Sequence, residues 1–221
     1  MAHTDIPDAL AKISSRSKDV PWYSSDMGSK LGDPARQLLE NYSKIPAAVV
    51  ESHVHTVVRY HSFLPWTLDP LTRSQRDEAW KVWPYPCIGQ FGFLALAMSH
   101  VPYYPTILER LKTGEQNFLD LGCCFGQELR KLVADGAPPE NLYGADLNPE
   151  FFDLGYKLFR DKDTLTSKFI AADIFDPGSE LHELDGKIDI LYAGSFLHLF
   201  SYEGQINACK AIVKLLRDKK D

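Results

Sequence analysis

Apolar residues recur along this chain with two different periods. Ala35, Leu38, Leu39, Tyr42 and Ile45 fall on one face of a helix. Asp33-Pro34, just ahead of them, reads as an N-cap followed by proline at the first helical position. Pro46 predicts the start of a second helix, with Ala47, Val50, Val54, Val57 and Val58 along one side. Ser74-Gln75-Arg76-Asp77 resembles a capping box and opens a short helix through Trp80 and Trp83. An apolar stretch follows from Ile88 to Met98, and Pro105 opens a helix that stops near Gly114. No strand is predicted between residues 33 and 113.

From Asn117 the pattern changes. Short apolar strands are predicted at Asn117–Leu121, Asn141–Asp146, Lys168–Asp173 and Lys187–Ala193. Helices lie between and after them. Gly126–Asp135 ends at Gly136, and Asn148-Pro149-Glu150 caps a helix running to about Arg160. Tyr202–Arg217 is amphipathic, with Ile206, Ala208, Ile212, Val213 and Leu216 as its expected buried face. Strands alternating with helices imply a parallel sheet with crossover helices, a doubly wound α/β fold. The chain therefore divides into a polar N-terminal arm (1–30), a helical cap region (31–115) and a Rossmann-like domain (116–221). Val20, Pro21, Trp22 and Tyr23 are the points at which the arm would be pinned down.

Charge and cysteine content narrow the function. Lys and Arg number 24 against 30 Asp and Glu, a net charge of −6. Without a basic cluster the chain has no means of displacing counterions from a nucleic-acid backbone. No apolar run reaches the roughly 18 residues of a membrane span, and the N-terminus lacks a secretory pattern. The four cysteines, Cys87, Cys123, Cys124 and Cys209, form no C-x-x-C pair. That pattern suits a reducing cytoplasmic setting and argues against structural zinc. His53, His55 and His61 invite a metal reading. A spacing of two on a helix sends His53 and His55 to different faces, so no metal site is expected.

In an open parallel sheet, ligands bind beyond the carboxyl ends of the strands. The first strand ends in Asp120-Leu121-Gly122-Cys123-Cys124-Phe125-Gly126. The dinucleotide fingerprint G-x-G-x-x-G fails here at two of its three glycines, and no phosphate-binding G-x-x-x-x-G-K-[ST] occurs. A spacing of 0, 2, 4 is met at Gly122 and Gly126 and occupied by Cys124 in the middle. A thiol can stand for glycine there if the backbone has negative φ. The second strand closes on Asp146, placed to accept the two hydroxyls of a ribose, and the third on Asp173, placed to accept an adenine amine. The turns carry no Lys or Arg, so a nucleoside cofactor without phosphate is expected. S-adenosyl-L-methionine fits.

Residues 118–135 and 141–173 resemble the first three motifs of class I S-adenosylmethionine-dependent methyltransferases. WPYPCIGQFGFL (83–94), FLDLGCCFGQELRKL (118–132) and LYAGSFLHLF (191–200) are similar to the small-molecule methyltransferases of fungal meroterpenoid and polyketide pathways. The resemblance covers roughly residues 30–221. It implies a cofactor site at Gly122, Asp146 and Asp173, together with Asp120, Cys123, Gly126, Leu147, Ile174 and Ser195 around them. It also implies helices ahead of the sheet that cover an acceptor pocket. A class I sheet has seven strands in the order 3-2-1-4-5-7-6, and four are predicted here. The apolar fourth strand would then lie bare at an edge, which favours pairing with a second copy or aggregation.

The expected reaction is methyl transfer to a carboxylate or hydroxyl oxygen of a small, largely apolar secondary metabolite. His198, just past the fourth strand, is placed to act as base or to orient the acceptor. Trp80, Trp83, Tyr85 and Phe91 either line the substrate pocket or form the core of the helical part, and core is favoured. The alternative reading is a truncated methyltransferase-like protein without catalysis, or one repurposed as a cyclase or isomerase.

Overall fold

The computed structural model describes residues 16–18, 20–24, 26–56 and 75–218. Ser74, Val57, Val58 and His61 lie outside the described residues. Four short strands form one sheet: β1 (Phe118–Leu121), β2 (Leu142–Asp146), β3 (Lys168–Ala171) and β4 (Ile190–Tyr192). Their order is β3-β2-β1-β4, and every pair is parallel. The chain runs outward from β1 to β3 and then returns to β1's other side. The crevice at that reversal lies above the end of β1.

The alternation of β1 sets the two faces. Phe118 packs with Met98, Tyr104, Leu111, Leu129 and Leu132 on one side. Leu119 and Leu121 pack with Leu181, Leu184, Ile188 and Leu215 on the other. Asp120 shares the face of Phe118, opposite Gly144 and Tyr192 in register. The helices are α1 (Asp33–Gln37), α2 (Val50–Thr56), α3 (Gln75–Val82), α4 (Pro86–Gly89), α5 (Tyr104–Lys112), α6 (Gln127–Ala134), α7 (Glu150–Phe159) and α8 (Tyr202–Leu215). Among the described residues none is long and apolar enough to cross a membrane.

Of the helices ahead of the sheet, α5 packs on the Phe118 face and α1–α4 lie elsewhere. α1–α4 pack on α7 and on the turn after β1, in a core that joins Leu39, Val54, Trp80 and Phe91 to Cys124, Phe125, Phe151 and Leu158. Val20, Trp22 and Tyr23 lie against this core, Ser24 N donates to Gly89 O (2.9 Å), and Trp80 Nε1 donates to Arg16 O (3.1 Å).

Several boundaries differ from the sequence reading. Gly32, not Asp33, takes the cap position of α1, and no side chain caps it. Asp33 sits in the first turn, where its charge faces the helix N-terminus. The helix then widens into a π turn, Leu38–Tyr42. Asn148 does not cap α7 with its side chain; its N–H donates to Asp146 instead. The face of α8 that is buried is Gly204, Ala208 and Leu215, whereas Ile206 and Val213 are exposed. β4 is shorter than expected, and its edge is not bare throughout. Ile188 N donates to Leu215 O (3.0 Å) and Ile188 O accepts Arg217 N (2.7 Å), so residues after α8 pair with the lead-in to β4. Ile188 is fully buried and Ile190–Tyr192 is half-buried.

Candidate cofactor and active site

The turn after β1 is built from alternate left-handed residues. Gly122, Cys124 and Gly126 have φ of +79°, +51° and +63°. These are the three positions of the 0, 2, 4 spacing. Cys124 therefore corrects the expectation of negative φ, since the thiol stands where glycine is conformationally cheapest. A side chain in this region costs about 1–2 kcal/mol. The offset is visible: Cys124 N–H donates to the buried Asp146 Oδ2 at 2.9 Å, a bond to a carboxylate of about 1.5–3 kcal/mol. The Cys124 side chain is buried with the N-terminal core. Cys123, one residue earlier, turns its sulfur the other way, toward Gly144 and the α5–α6 core.

The amides of this turn point inward. Gly122 N and Cys123 N both donate to Ala145 O (2.8 and 3.0 Å), and Gly126 N donates to Cys123 O (2.7 Å). With Cys124 on Asp146, these four donors are taken within the protein. The turn is not an anion cradle of the phosphate-loop kind, which needs free N–H groups.

Asp146 joins β2 to the turn. Besides Cys124 it accepts Asn148 N–H at 3.1 Å, through its other oxygen. The carboxylate still has lone-pair capacity for a further donor. Burial raises its pKa, and the N–H groups of Asn148, Cys124 and Leu147 pull it back. Leu147 beside it is 61% exposed, a flat apolar surface next to a carboxylate. Asp173 is exposed, two residues beyond the end of β3, and its Oδ1 accepts Phe175 N–H (2.9 Å). It thus lies in a turn and does not close the strand. Ile174 is buried under it. Ser195 is exposed with φ +51°, and His198 is exposed on the single turn Leu197–Leu199.

Beneath the turn lies a group of buried acids. Asp120 Oδ2 and Glu128 Oε2 have no hydrogen-bond partner among the described residues. Burial, with the Glu128 and Asp146 charges nearby, pushes the Asp120 carboxyl well above its usual range. Burial also lifts Glu128 to about 7, although the N–H groups of Met98 and Ala97 hold its carboxylate. Tyr192 is raised to about 12 by burial, with the same two acids beside it.

The residues at the crevice fit a nucleoside bearing no phosphate: a carboxylate with lone pairs to spare, an exposed apolar neighbour, glycine backbone, and no cation at the strand ends. The sequence comparisons agree with that geometry. A family model described as "Methyltransferase domain" matches residues 118–219. Another, "Meroterpenoid methyltransferase N-terminal domain", matches 22–64 and 67–94. Both parts of the chain are thus similar to methyltransferases.

Its relatives are fungal. O-methyltransferase phiE from a fungal species is 47% identical over 90% of this chain and 61% of its own length. O-methyltransferase atr3 from Stereocaulon alpinum is 44% identical, over 97% and 57%. The Asnovolin E/Chermesin D methyltransferase nvfJ of Aspergillus novofumigatus is 46% identical, over 85% and 61%. The chain thus spans about three fifths of the length of these curated relatives.

Phe196 escaped the sequence reading, which named Tyr85 only as a pocket or core residue. A Cβ on Gly122 would lie 2.9 Å from Phe196 Cδ2, so Phe196 is the residue of the Ser195–His198 loop that reaches the turn. Tyr85 stacks near Phe151, and the Asp146 charge is among the causes that raise its pKa, after burial. The N-terminal segment therefore reaches the rim at Tyr85, whereas Trp80 and Phe91 are buried core. His53 and His55 have structural partners. His53 Nε2 lies 2.9 Å from Leu158 O, and His55 meets the edge of Phe91.

Proposed function

We propose that this chain binds S-adenosyl-L-methionine at the Gly122–Gly126 turn and transfers a methyl group to an oxygen of a small, largely apolar metabolite. The observation that carries the reading is the turn itself. Three left-handed residues with their amides turned inward, the middle one bonded to Asp146, leave carboxylate and apolar surface as the recognition elements. The names of the relatives, two of them O-methyltransferases, support oxygen as the acceptor atom.

The cofactor, when bound, supplies a methyl group on a sulfonium centre. This chain's residues have simpler tasks. Asp146 accepts ribose hydroxyls with its remaining lone pairs, Leu147 and Ile174 flank the base, and Asp173 accepts its amine. Phe196 and Tyr85 wall the crevice and exclude water, which aligns the acceptor with the methyl group. A carboxylate acceptor is already anionic and needs no base; a phenol does, and His198 is the residue we assign. The test is label transfer from methyl-labelled cofactor to a panel of small apolar carboxylic acids and phenols. Labelled ester or ether is expected, and His198→Ala should lower transfer to phenols alone. Cofactor binding with no transfer to any acceptor would favour the non-catalytic alternative.

A second copy is the partner we propose, and α8 is the surface. Tyr202, Ile206, Cys209 and Val213 form an outward apolar stripe, with Tyr202 82% and Val213 65% exposed. α8 is thus apolar on two faces, which suits a sandwiched helix. Glu203 near its start and Lys210 and Lys214 near its end share one flank. An antiparallel pair of α8 helices sets each Glu203 beside the lysines of the other copy. One helix face is small, so the dimer should be weak. Sedimentation should show concentration-dependent dimers that Ile206→Glu abolishes; a monomer at all concentrations would overturn this.

A further inference from the structure

Arg130, on α6, is 0% exposed and makes four hydrogen bonds. Nε and Nη2 donate to Asp161 Oδ2 and Oδ1 at 2.7 and 2.9 Å, a bidentate fork. Nη1 donates to Phe125 O at 2.6 Å and to Gly126 O at 3.3 Å. The guanidinium is enclosed by the rings of Tyr156, Phe159 and Phe169, at 5.3, 4.7 and 5.5 Å from their centroids.

Its anchor is itself anchored. Arg160 ends α7 in the left-handed region (φ +54°), which brings Asp161 back toward α6. Asp161 Oδ2 also accepts Tyr42 O–H at 2.8 Å, across 119 residues of sequence. Tyr42 is the last residue of the π turn Leu38–Tyr42. A π turn carries one residue more than an α turn and redirects the side chain that closes it.

A buried ion pair is a poor stabiliser compared with apolar packing of the same volume. What a guanidinium adds here is direction: it holds two carbonyls of the glycine turn from the inner side. Gly155 on α7 completes the clamp, since its missing side chain leaves room for Phe125 O, 2.4 Å from where a Cβ would stand.

We propose that Arg130 is a positioning residue for the cofactor turn, and that Tyr42 makes the N-terminal layer part of that device by fixing Asp161. The carbonyls of Phe125 and Gly126 fix the peptide planes of the turn, so the alignment of Gly122–Gly126 beside Asp146 depends on a hydroxyl delivered from α1's extension. The proposal rests on the reading that this turn holds the cofactor.

Arg130→Lys keeps the charge and removes the fork; Tyr42→Phe removes one hydroxyl. Two readouts are needed. Amide hydrogen exchange without ligand reports the turn, and calorimetric titration with S-adenosylhomocysteine, well below each variant's unfolding midpoint, reports its function. Arg130→Lys should speed exchange at 124–127 more than in β2 and weaken binding about 10-fold or more, the usual size for outer-shell partners. Tyr42→Phe should move both in the same direction, by a smaller factor, with a midpoint near the parent's. A folded Arg130→Lys with parental exchange and affinity would reduce Arg130 to packing. If Arg130→Lys does not fold, Tyr42→Phe decides by the same two readouts, and parental values overturn the proposal. A parent that binds no S-adenosylhomocysteine sinks the cofactor reading, and the exchange comparison still decides the positioning role.

Discussion

Glu128→Gln tests the buried acids beneath the turn through pH. Glu128 is 4% exposed, and one of its oxygens has no partner among the described residues. Its pKa moves from 4.5 to about 7, chiefly through burial. The folded chain therefore binds this proton more tightly than the unfolded chain. Between those two values the native state holds more protons, so stability falls as pH rises. The stabilisation is complete below about pH 4.5 and lost as pH climbs through 7. At 1.36 kcal/mol per unit, the loss amounts to about 3 kcal/mol. Glutamine keeps the shape and cannot titrate. Asp146 is also raised and adds a slope of the same sign to parent and variant alike, whereas part of Asp120's rise comes from the Glu128 charge and goes with it, which moves the difference in the same direction. The difference between variant and parent should hence shift in the variant's favour by about 3 kcal/mol from about pH 4 to about pH 8. Urea unfolding followed by circular dichroism measures it, provided the m-values match. Parallel stability profiles for the two proteins would refute the reasoning, because Glu128 would then titrate alike in both states.

Gly155→Ala places a methyl group 2.4 Å from Phe125 O, a backbone atom that Arg130 holds in place. Overpacking of this kind should cost about 1–3 kcal/mol in thermal or urea unfolding, and an unchanged midpoint would show that α7 can retreat. Gly122→Val meets both a φ of +79° and the Phe196 ring. It should lose cofactor binding while the far-ultraviolet spectrum stays native, and adding Phe196→Ala should not restore binding, because the backbone strain remains. Recovery in the double variant would assign the loss to the ring alone.

Much of the sheet was legible because its signals are local. Four short apolar runs, each followed by a turn and a helical pattern, suffice for a parallel sheet, and the carboxylates at or after the strand ends follow from it. Cys124 shows where local reading stops. Its positive φ depends on an amide bond to Asp146, and no pattern at position 124 reveals a partner on another strand. α8 was misread for a related reason. Apolar residues occupy two of its faces, and periodicity alone does not say which of them meets the sheet. The fourth strand was expected to be bare because four strands were predicted against seven in the resembled sheet; Ile190–Tyr192 is indeed an edge strand, whereas Leu215–Arg217 turn back to pair with Ile188 ahead of it. The network of Tyr42, Asp161 and Arg130 joins three separate segments and leaves no spacing to find.

The most direct test of the central claim is a calorimetric titration of parent and Asp146→Ala with S-adenosylhomocysteine, alongside adenosine diphosphate and NAD. The account predicts that the parent binds the phosphate-free nucleoside and neither phosphate-bearing ligand. Asp146→Ala should lose two bonds to a carboxylate, each worth about 1.5–3 kcal/mol, and with them at least a hundredfold in affinity. Undiminished binding by Asp146→Ala, or a preference for the phosphate-bearing ligands, would contradict it.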